Sequence, residues 1–577
     1  MHKYNYHFVP LCLYGGTIFV ILSFFKPLNM QDSFFKQMET TIRKYWEYPS
    51  LSDYKGSTYT YKDVARKIVK LHIMFDNCDI KKGDRIALCS RNLSTWGITF
   101  VAIITYGAVA VPVLHEFKSD NIYHIINHSE AKLLFVGDDV WRTLDAEKMP
   151  LLDGIFRMED YSIRISRKEK LTEVRHNLNK VFGEKYPERF LPEHISFAPE
   201  NPEELAIINY TSGTSGQSKG VMLPFRSLNS NLHFAIEVLT ETPRQTMLSM
   251  LPMAHMYGLA FEFIYGFCIG SHITFLGRIP SPKIVTEAFA EVRPDVIISV
   301  PLIIEKIVNK SVQPKLQSPI VKLLLKIPFV KSKIYKRIHD VLRASFGGKF
   351  KEFIIGGAPL NKDVERMLRN IKLEYTVGYG MTEFGPILSY SGWASYRAYS
   401  CGRTAPRMEL KIDSTDPENI PGEILARGAN TMLGYFKNEK ATAEFIDSEG
   451  WAHTGDIGLM DSDGNLYIKG RSKNMILTSN GQNIYPEEIE DQINTLSIVA
   501  ESIVVCRNGH LTALVYPDND AISRLGISES EKNQVIEQTV KTLNASLPTY
   551  CQIAHVEIRT EEFEKTPKKN IVRYIYK

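Results

Sequence analysis

The sequence predicts an α/β protein, and three observations support this fold class. From about residue 59, short apolar runs bounded by turn residues alternate with amphipathic segments of helical periodicity, a pattern typical of buried parallel strands joined by crossover helices. After about residue 402 the apolar runs become shorter and lie closer together, which indicates a small β-rich unit. The length of 577 residues allows roughly three to five domains with large cores.

The clearest predicted strands of the first part are AKLLFVG, ELAIIN, DVIISVP and FKEFIIGG, at residues 131–137, 204–209, 295–301 and 350–357. Several of them run into glycine- or serine-rich loops, and loops at the carboxyl ends of parallel strands are where open α/β sheets bind ligands. The β-rich unit contains MELKID, GEILARG and the longer segment at 450–470. From Arg471 the chain has its own apolar runs, ESIVVC, LTALVYP and HVEIR, so we expect a separate carboxy-terminal lobe.

Composition excludes several classes of protein. With 44% hydrophobic and 23% charged residues the chain is ordinary globular protein, neither disordered nor collagen-like. A net charge of +4 is too dilute for a nucleic-acid-binding surface. The seven cysteines are far apart and never form C-x-x-C, which argues against a disulfide framework or a zinc ribbon. We therefore expect a reducing compartment, the cytoplasm, and no nucleic-acid partner.

The amino terminus has three interpretations. The run from Phe8 to Phe25 carries no charge and just reaches the length that crosses a bilayer core. As a signal peptide it has only Lys3 ahead of it and no small-residue cleavage site; as a membrane anchor it is interrupted by Pro10 and a glycine pair. The third interpretation is that translation starts at Met30, so that residues 1–29 are a mis-called extension.

The most informative stretch is YTSGTSGQSKG, residues 210–220, which follows the strand LAIIN. Its small residues let backbone N–H groups approach phosphate oxygens, and its lysine adds positive charge. It is not the P-loop G-x-x-x-x-G-K-[ST], because Ser218 precedes Lys219 and Gly220 follows it. The alternative is a flexible linker, but linkers rarely carry a lone lysine after a strand.

This loop resembles the phosphate-binding signature of the adenylate-forming superfamily, which comprises acyl-CoA synthetases, luciferases and the adenylation domains of peptide synthetases. Further motifs match in order: GGAPL at 356–360, YGMTE at 379–383, GEI at 422–424, HTGDIG at 453–458, GRSKN at 470–474 and NGQNIYPEEIE at 480–490. The resemblance covers about residues 35–577. The segment 449–482 closely resembles long-chain fatty acyl-CoA ligases.

The resemblance implies the organisation of the chain and its reaction. The expected units are the apolar extension 1–29, an AMP-binding body 30–470 made of two α/β subdomains and a small β subdomain, and a mobile α+β lobe 471–577. The expected reaction uses ATP and Mg²⁺ to convert a carboxylic acid, of medium to long chain, into acyl-AMP and then acyl-CoA. Positive groups and a metal are needed because an anionic carboxylate must approach a polyphosphate.

The resemblance also assigns roles to residues. The residues expected to bind ATP or CoA are Thr211, Ser212, Gly213, Thr214, Ser215, Gly216, Gly356, Gly357, Ala358, Tyr379, Gly380, Asp456, Arg471, Lys473 and Gly481. Thr211 and Glu383 would hold Mg²⁺, which favours oxygen ligands. Lys219, with the loop 214–216, would contact the β- and γ-phosphates, and Thr382 the α-phosphate.

Within this set, the tyrosine ring of Tyr379 would lie on the adenine, and Asp456 and Arg471 would hold the ribose hydroxyls. Lys473 would be the hinge of the lobe, and the loop carrying Gly481 would line the pantetheine tunnel. In isolation Asp456 would be a turn residue and Glu383 a surface carboxylate; the motifs around them favour the functional interpretation. Glu423 lacks such a context and is predicted to be structural.

The acyl chain is expected near HMYGLAFEFIYG, residues 255–266. His255, Met256, Tyr257 and Gly258 are the predicted substrate contacts, although the same string could form an ordinary core helix. His255 is expected to be a wall residue, because an ionised carboxylate has no proton to lose to a general base.

The carboxyl terminus departs from the superfamily pattern. Alignment of Lys565-Thr566-Pro567 with the usual K-T-P places Asn570 where the superfamily has a lysine that reaches the adenylation site. Asparagine cannot supply the charge, so we hypothesise that Lys569 substitutes as a catalytic residue. The alternatives are weakened adenylation, or a lysine pair at 568–569 that is only solvated surface charge.

The expected partners are a fatty acid and CoA, and self-association into a homodimer is a further expectation. The basic, apolar segment from Val321 to Arg343 suggests contact with a membrane surface, or else core-facing helices with a solvated lysine face. The alternative functions are a ligase that loads acyl carrier protein, a ligase that stops at the adenylate, and a non-catalytic nucleotide-binding homologue.

Overall fold

The computed structural model describes residues 33–577 except 212–217, 240–243, 279–280, 309–311, 313–315, 317, 478–482, 508, 567–570 and 577. The three interpretations of the amino terminus therefore lie outside the described residues. The part of the chain that is described contains no helix both long enough and apolar enough to cross a membrane.

The described strands are β1 (Pro49–Asp53), β2 (Thr58–Thr60), β3 (Arg85–Cys89), β4 (Val109–Pro112), β5 (Leu133–Val136), β6 (Gly154–Arg157), β7 (Ile163–Ser166), β8 (Leu205–Thr211), β9 (Lys219–Pro224), β10 (Thr246–Ser249), β11 (His272–Phe275), β12 (Val296–Ser299), β13 (Glu352–Ile355), β14 (Tyr375–Val377), β15 (Tyr379–Gly380), β16 (Ile387–Tyr390), β17 (Arg403–Thr404), β18 (Met408–Asp413), β19 (Gly422–Gly428), β20 (Gly434–Tyr435), β21 (Ala452–Met460), β22 (Leu466–Arg471), β23 (Ile476–Leu477), β24 (Asn483–Ile484), β25 (Val499–Arg507), β26 (His510–Pro517) and β27 (His555–Ile558).

The described α-helices are α1 (Phe34–Lys44), α2 (Tyr61–Asn77), α3 (Ser94–Tyr106), α4 (Ser119–His128), α5 (Asp138–Trp141), α6 (Glu169–Lys185), α7 (Phe225–Val238), α8 (Tyr265–Cys268), α9 (Pro282–Val292), α10 (Pro301–Ile307), α11 (Pro319–Leu324), α12 (Pro328–Ser345), α13 (Lys362–Asn370), α14 (Glu439–Phe445), α15 (Pro486–Ile493), α16 (Asn519–Arg524) and α17 (Glu529–Thr542). A π-helix, Gly258–Ile264, leads directly into α8.

An eight-stranded sheet dominates the body, in the order β20-β9-β8-β4-β3-β5-β6-β7. Its five central strands, from β8 to β6, are parallel, whereas β9, β20 and β7 pair antiparallel at the two ends. The parallel strands are buried on both faces, as β5 is along its whole length, which explains why they read as continuous apolar runs. The α/β prediction is confirmed.

Two further sheets of the body contain parallel strands. The sheet β10-β11-β1-β2 is mixed, since β1 and β10 both run parallel to β11 whereas β2 is antiparallel. The sheet β12-β13-β14 is parallel throughout. The carboxyl ends of β13 and β14 lead into the GGAPL and YGMTE motifs at residues 356 and 379, so one sheet edge presents both motifs.

The β-rich unit and the smaller lobe follow in the predicted order. The β-rich unit is the antiparallel sheet β18-β19-β21-β22. The carboxy-terminal lobe contains β25, β26 and β27 with α15, α16 and α17, and a separate apolar cluster around Ile489, Val504 and Val540 forms its core. A large body with a smaller carboxy-terminal domain is therefore what the structure shows.

Candidate active site

The predicted phosphate loop connects two antiparallel strands. Thr211, the last residue of β8, pairs across the ladder with Lys219, the first residue of β9. Ser212, Gly213, Thr214, Ser215 and Gly216 lie outside the described residues. The strand thus turns back on itself, whereas a parallel sheet would have continued into a crossover helix. Both ends of the loop are held side by side by the β8–β9 ladder of the main sheet.

Gly220 has no side chain, and this leaves space for two neighbouring side chains beneath the hairpin. A Cβ atom on Gly220 would lie 2.9 Å from Cγ2 of Ile208 and 3.1 Å from Cζ of Tyr210. Tyr210 in turn bonds His128, with 2.7 Å between the phenolic oxygen and Nδ1. The glycine therefore permits a packed aromatic support next to Lys219.

Lys219 and Glu383 are linked through a residue that no motif contains. The Lys219 ammonium lies 4.8 Å from the centre of the Tyr435 ring, and the Tyr435 hydroxyl donates to Oε1 of Glu383 at 2.9 Å. Tyr435 belongs to β20, which pairs with β9 at Val221. Burial, with the nearby Glu383 carboxylate, raises the pKa of Tyr435, so its hydroxyl keeps the proton that it donates.

The segment that carries Thr382 and Glu383 is a short 3-10 turn, Thr382–Phe384. A side chain of α7, Asn231, holds this turn in place. Asn231 accepts from the Ile387 N–H at 3.0 Å and donates to the Phe384 carbonyl at 3.0 Å. The Met432 N–H donates to the Glu383 carbonyl at 2.9 Å. Asn231 is fully inside the protein, and it acts as a positioning residue that the sequence did not reveal.

Tyr379, Asp456 and Arg471 meet directly. The Tyr379 hydroxyl donates to Oδ2 of Asp456 at 2.6 Å, and Arg471 Nε lies 2.7 Å from Oδ1 of the same carboxylate. Asp456 and Arg471 are cross-strand partners in β21 and β22. Burial raises the pKa of Asp456 while Arg471 and Tyr379 oppose that rise, because both stabilise the ionised form.

The turn before Asp456 is held by Glu423. This carboxylate accepts the Gly455 N–H at 2.9 Å and lies 3.0 Å from Nδ1 of His453. The sequence predicted a structural role for Glu423, and these contacts show which structure it supports: the backbone turn that presents Asp456. Its place in the GEI motif at 422–424 was the sequence signal for it.

A pocket of about 510 Å³, counting the space at its open mouth, joins the predicted nucleotide and acyl regions. Its lining is mainly apolar: Phe234, Leu239, Tyr257, Phe261, Ile298, Ile354, Gly356, Gly357, Gly378, Tyr379, Gly380, Pro386, Ile387 and Tyr390. Ala358 follows as an exposed residue. An apolar lining of this kind is typical of small-molecule sites.

Gly356, a predicted nucleotide contact, lies close to Tyr257 of the predicted acyl segment in the lining of the pocket. A Cβ atom on it would lie 3.1 Å from Cζ and 3.2 Å from the hydroxyl oxygen of Tyr257. The adjacent Gly357 has φ +85°, a left-handed conformation that favours glycine. The GGA motif is therefore required by close approach at one position and by backbone conformation at the next.

Only part of the predicted acyl segment lines the pocket; the rest packs in the protein core. Tyr257 and Phe261 line the pocket, whereas Met256 and Gly258 are buried elsewhere in the packing. His255 is half-buried in the turn that precedes the π-helix. The segment is thus neither wholly a channel nor wholly an ordinary core helix.

Glu262, in the π-helix, is a buried carboxylate that supports this segment. It accepts the Ser249 hydroxyl at 2.9 Å and the N–H groups of Met250 and Leu251 at 3.1 Å. Burial raises the pKa of Glu262 to about 8. The carboxyl ties the π-helix to the end of β10.

The lobe contacts the body close to the predicted hinge. Lys473 is exposed in the 3-10 turn Ser472–Asn474, and Asn474 donates to Oε1 of Glu487 at 2.7 Å. Lys469 of β22 pairs with Glu488 of α15 at 2.9 Å. Gly481 lies outside the described residues.

Lys568, Lys569 and Asn570 also lie outside the described residues, but the chain on each side is anchored. Lys565 pairs with Glu501 at 2.6 Å. Arg573 donates to both carboxylate oxygens of the buried Glu490 at 2.6 Å, a bidentate pair.

The predicted magnesium donors are compatible with Mg²⁺. The part of the chain that is described has no cluster of three or more His, Cys, Asp or Glu side chains suited to hold a metal. Mg²⁺ commonly uses one or two protein oxygens together with substrate phosphates and water. The Thr211 hydroxyl and the Glu383 carboxylate, the latter already oriented by Tyr435, are donors of that kind.

Comparisons with known proteins agree on family and fold. Residues 38–436 match the AMP-binding enzyme family, and residues 473–576 match the AMP-binding enzyme C-terminal domain. Long-chain-fatty-acid–CoA ligase FadD15 of Mycobacterium bovis is 27% identical over 79% of this chain and 77% of its own. Long-chain-fatty-acid–CoA ligase 5 of Rattus norvegicus is 25% identical over 85% and 76%.

Among solved structures, ATP-bound MatB from Rhodopseudomonas palustris superposes with a TM-score of 0.73 at 21% identity, covering 94% of this chain and 98% of that one. At this identity the likeness establishes the fold alone.

Proposed function

The chain belongs to the AMP-binding enzyme family and is an adenylate-forming acid–thiol ligase close to the long-chain fatty acyl-CoA ligases; from this premise we propose its substrate and the roles of its residues. The proposed substrate is a medium- to long-chain fatty acid. It is joined to the α-phosphate of ATP with release of pyrophosphate, and the acyl group then passes to the thiol of CoA with release of AMP.

One observation carries the substrate proposal. The pocket has Gly356, Gly357 and Tyr379 at the predicted nucleotide end and Phe234 and Phe261 among its apolar walls. An acyl-adenylate needs such continuity, because its apolar chain and its nucleotide are joined by one bond. The apolar lining favours an alkyl chain over a charged or sugar-like acid.

Catalysis of the first step is proposed to be mainly electrostatic. Mg²⁺, held by Thr211 and Glu383, would offset the charge of the phosphates. Lys219 would add a positive charge on the other side of the same loop, and Thr382 would donate to the α-phosphate. Because Tyr435 orients Glu383 and lies against Lys219, these groups are positioned before the charge on the reacting oxygens develops.

The ribose proposal rests on the paired carboxylate of Asp456. Its two oxygens are held by Tyr379 and Arg471, so its orientation is fixed. Ribose hydroxyls would donate to the remaining lone pairs of Asp456, and Tyr379, which also lines the pocket, would cover the base. Arg471 is half exposed and can move towards the nucleotide.

Transfer to CoA is proposed to require rotation of the lobe. The residues 471–577 would turn about Lys473 and bring the loop carrying Gly481 to the thiol. A small number of backbone torsions at a junction is enough for such closure. The alternatives within the family are transfer to an acyl carrier protein and release of the adenylate without transfer.

The test is acid-dependent AMP release, measured with acids from acetate to oleate and a few aryl acids, each with CoA or acyl carrier protein as acceptor. The proposal expects the highest kcat/KM with fatty acids of medium to long chain, and with CoA. Preference for the carrier protein selects the first alternative. Acid-dependent release of pyrophosphate without AMP selects the second alternative. ATP binding with acid-dependent release of neither product selects a non-catalytic homologue and contradicts the proposal.

A further inference from the structure

The outer face of α11 and α12 exposes large apolar side chains, which we call the apolar–basic surface. Its apolar members are Ile320, Leu323, Ile327 and Phe329, which are 71%, 65%, 49% and 68% exposed. They lie within ten successive positions, on α11, the turn after it and the first turn of α12. Single exposed apolar residues are normal on a protein surface, but a contiguous group of this kind marks an interaction site.

Packing on the core does not explain these residues. The inner face of the two helices already contributes Val321, Leu325, Ile334 and Ile338 to the second apolar core of the body, and Leu342 is buried in it. The helices are therefore held by one apolar stripe and carry a second one outside. The prediction of core-facing helices with a solvated lysine face accounts for the inner stripe only.

The charge of this segment is strongly one-sided. Between residues 319 and 343 the basic residues are Lys322, Lys326, Lys331, Lys333, Lys336, Arg337 and Arg343, and the acidic residue is Asp340. Lys336 pairs with Asp340 and Arg343 with Glu374. The structure records no carboxylate within ion-pair distance of the other five in the described part of the chain. This local excess exceeds the +4 of the whole chain.

Apolar and basic residues alternate along this segment. The Lys333 ammonium lies 4.3 Å from the centre of the Phe329 ring, and Lys322 and Lys326 flank Leu323 in the chain. Lysine can keep its charge at the level of lipid headgroups while neighbouring apolar side chains enter the acyl region. Anionic headgroups also attract clustered lysines.

We propose that the apolar–basic surface docks the protein on an anionic lipid bilayer. A second copy of the chain is the poorer occupant, because it would bring two strongly basic surfaces together. The proposal rests on the proposed function and deepens it by naming a membrane partner. None of the surface residues belongs to a motif, so the proposal can fail while ligase activity stands.

The experiment is vesicle co-sedimentation of the full chain. Vesicles of phosphatidylcholine with phosphatidylserine are compared with phosphatidylcholine alone, at low and at high salt. The expected apparent affinity is at least about tenfold higher for the anionic vesicles, and salt should abolish the difference because exposed charges are screened. Equal binding to both vesicles overturns the proposal.

Two variants locate the surface, and each has a matched control. One variant combines Ile320→Ser, Leu323→Ser and Phe329→Ser, and its control combines Leu151→Ser, Leu191→Ser and Leu525→Ser, three exposed leucines elsewhere. The other combines Lys322→Glu, Lys326→Glu and Lys331→Glu, with Lys81→Glu, Lys180→Glu and Lys440→Glu, which are exposed lysines elsewhere, as its control.

Both surface variants should lose at least about tenfold in affinity for anionic vesicles, and both controls should bind like the wild type. Unchanged circular dichroism and ATP binding show that the variants are folded. If all proteins sediment alike, another part of the chain holds the vesicles and the proposal is wrong. If the protein forms a dimer without lipid and the surface variants abolish that dimer, the surface serves self-association and the proposal is also wrong.

Discussion

Tyr435 donates its phenolic hydrogen to Glu383 at 2.9 Å, and the same ring lies 4.8 Å from the Lys219 ammonium. One side chain thus contacts both the predicted magnesium ligand and the predicted phosphate-binding lysine. Neither Lys219 nor Glu383 has to be oriented by the nucleotide itself. The most informative substitutions follow from this arrangement.

Tyr435→Phe removes the hydrogen bond to Glu383 and keeps the ring beneath Lys219. Hydrogen bonds to charged groups contribute about 1.5–3 kcal/mol, so we expect kcat/KM for ATP to fall at least about tenfold. The Mg²⁺ concentration for half-maximal ATP–pyrophosphate exchange should rise, because Glu383 loses its orientation. Tyr574→Phe, at an exposed tyrosine, is the control, and an unchanged Mg²⁺ dependence of Tyr435→Phe would contradict the account.

Gly356→Ala should narrow the pocket where Gly356, a predicted nucleotide contact, approaches Tyr257 of the predicted acyl segment. The added methyl would lie 3.1 Å from the Tyr257 ring, and overpacking of this kind costs about 1–3 kcal/mol. The expected result is a loss of about tenfold in kcat/KM for long-chain acids, larger than the loss for short ones. Gly183→Ala, in α6 with nothing within 4 Å of the added atom, is the control. Equal losses for all acids would show that Gly356 does not border the acyl path.

The buried carboxyl of Glu262 should make the stability of the protein depend on pH. Burial raises its pKa from 4.5 to about 8, so the folded state favours the protonated carboxyl. The contribution of Glu262 to the free energy of unfolding is fully present below about pH 4.5. It is lost as the pH rises towards 8, by up to about 1.4 kcal/mol per pH unit. Glu262→Gln should flatten this part of the profile of melting temperature against pH. If wild type and Glu262→Gln show parallel profiles from pH 5 to 8, the carboxyl does not titrate in this way.

The superfamily has a lysine at the position of Asn570, and Lys569 is predicted to take its place. Lys569→Ala should lower ATP–pyrophosphate exchange by about a hundredfold, as expected for loss of a charge at the reacting phosphate. Lys568→Ala is the adjacent control and should keep most of the activity. The hypothesis is wrong if Lys569→Ala leaves the exchange unchanged, and Asn570→Lys with raised exchange would show that adenylation is weakened in the wild type.

Much of this architecture was predictable because it depends on local pattern. The strand Leu205–Thr211 is buried along its middle and therefore appears as an apolar run. The motifs located Tyr379, Asp456 and Arg471, and the structure brings these three side chains into direct contact. Their roles towards a nucleotide remain predictions, since contact among them does not identify a ligand.

What the sequence could not predict depends on pairing between distant segments. Tyr435 reaches Glu383 because β20 adds to the edge of the main sheet beside β9, more than 200 residues earlier in the chain. Asn231 supports the Glu383 turn from a helix that carries no motif. The hairpin at Thr211 was also missed, because composition does not distinguish a strand that turns back from one that enters a crossover helix.

The most direct test of the central claim is a single turnover with labelled ATP and palmitate in two stages. The enzyme is first mixed with both substrates without CoA and quenched, and in a parallel reaction CoA is added before quenching. The account predicts acid-dependent acyl-AMP, stoichiometric with the enzyme, that CoA converts to acyl-CoA and AMP; Tyr435→Phe should form it more slowly. Bound ATP with no acyl-AMP, or acyl-AMP that CoA leaves untouched, would contradict it.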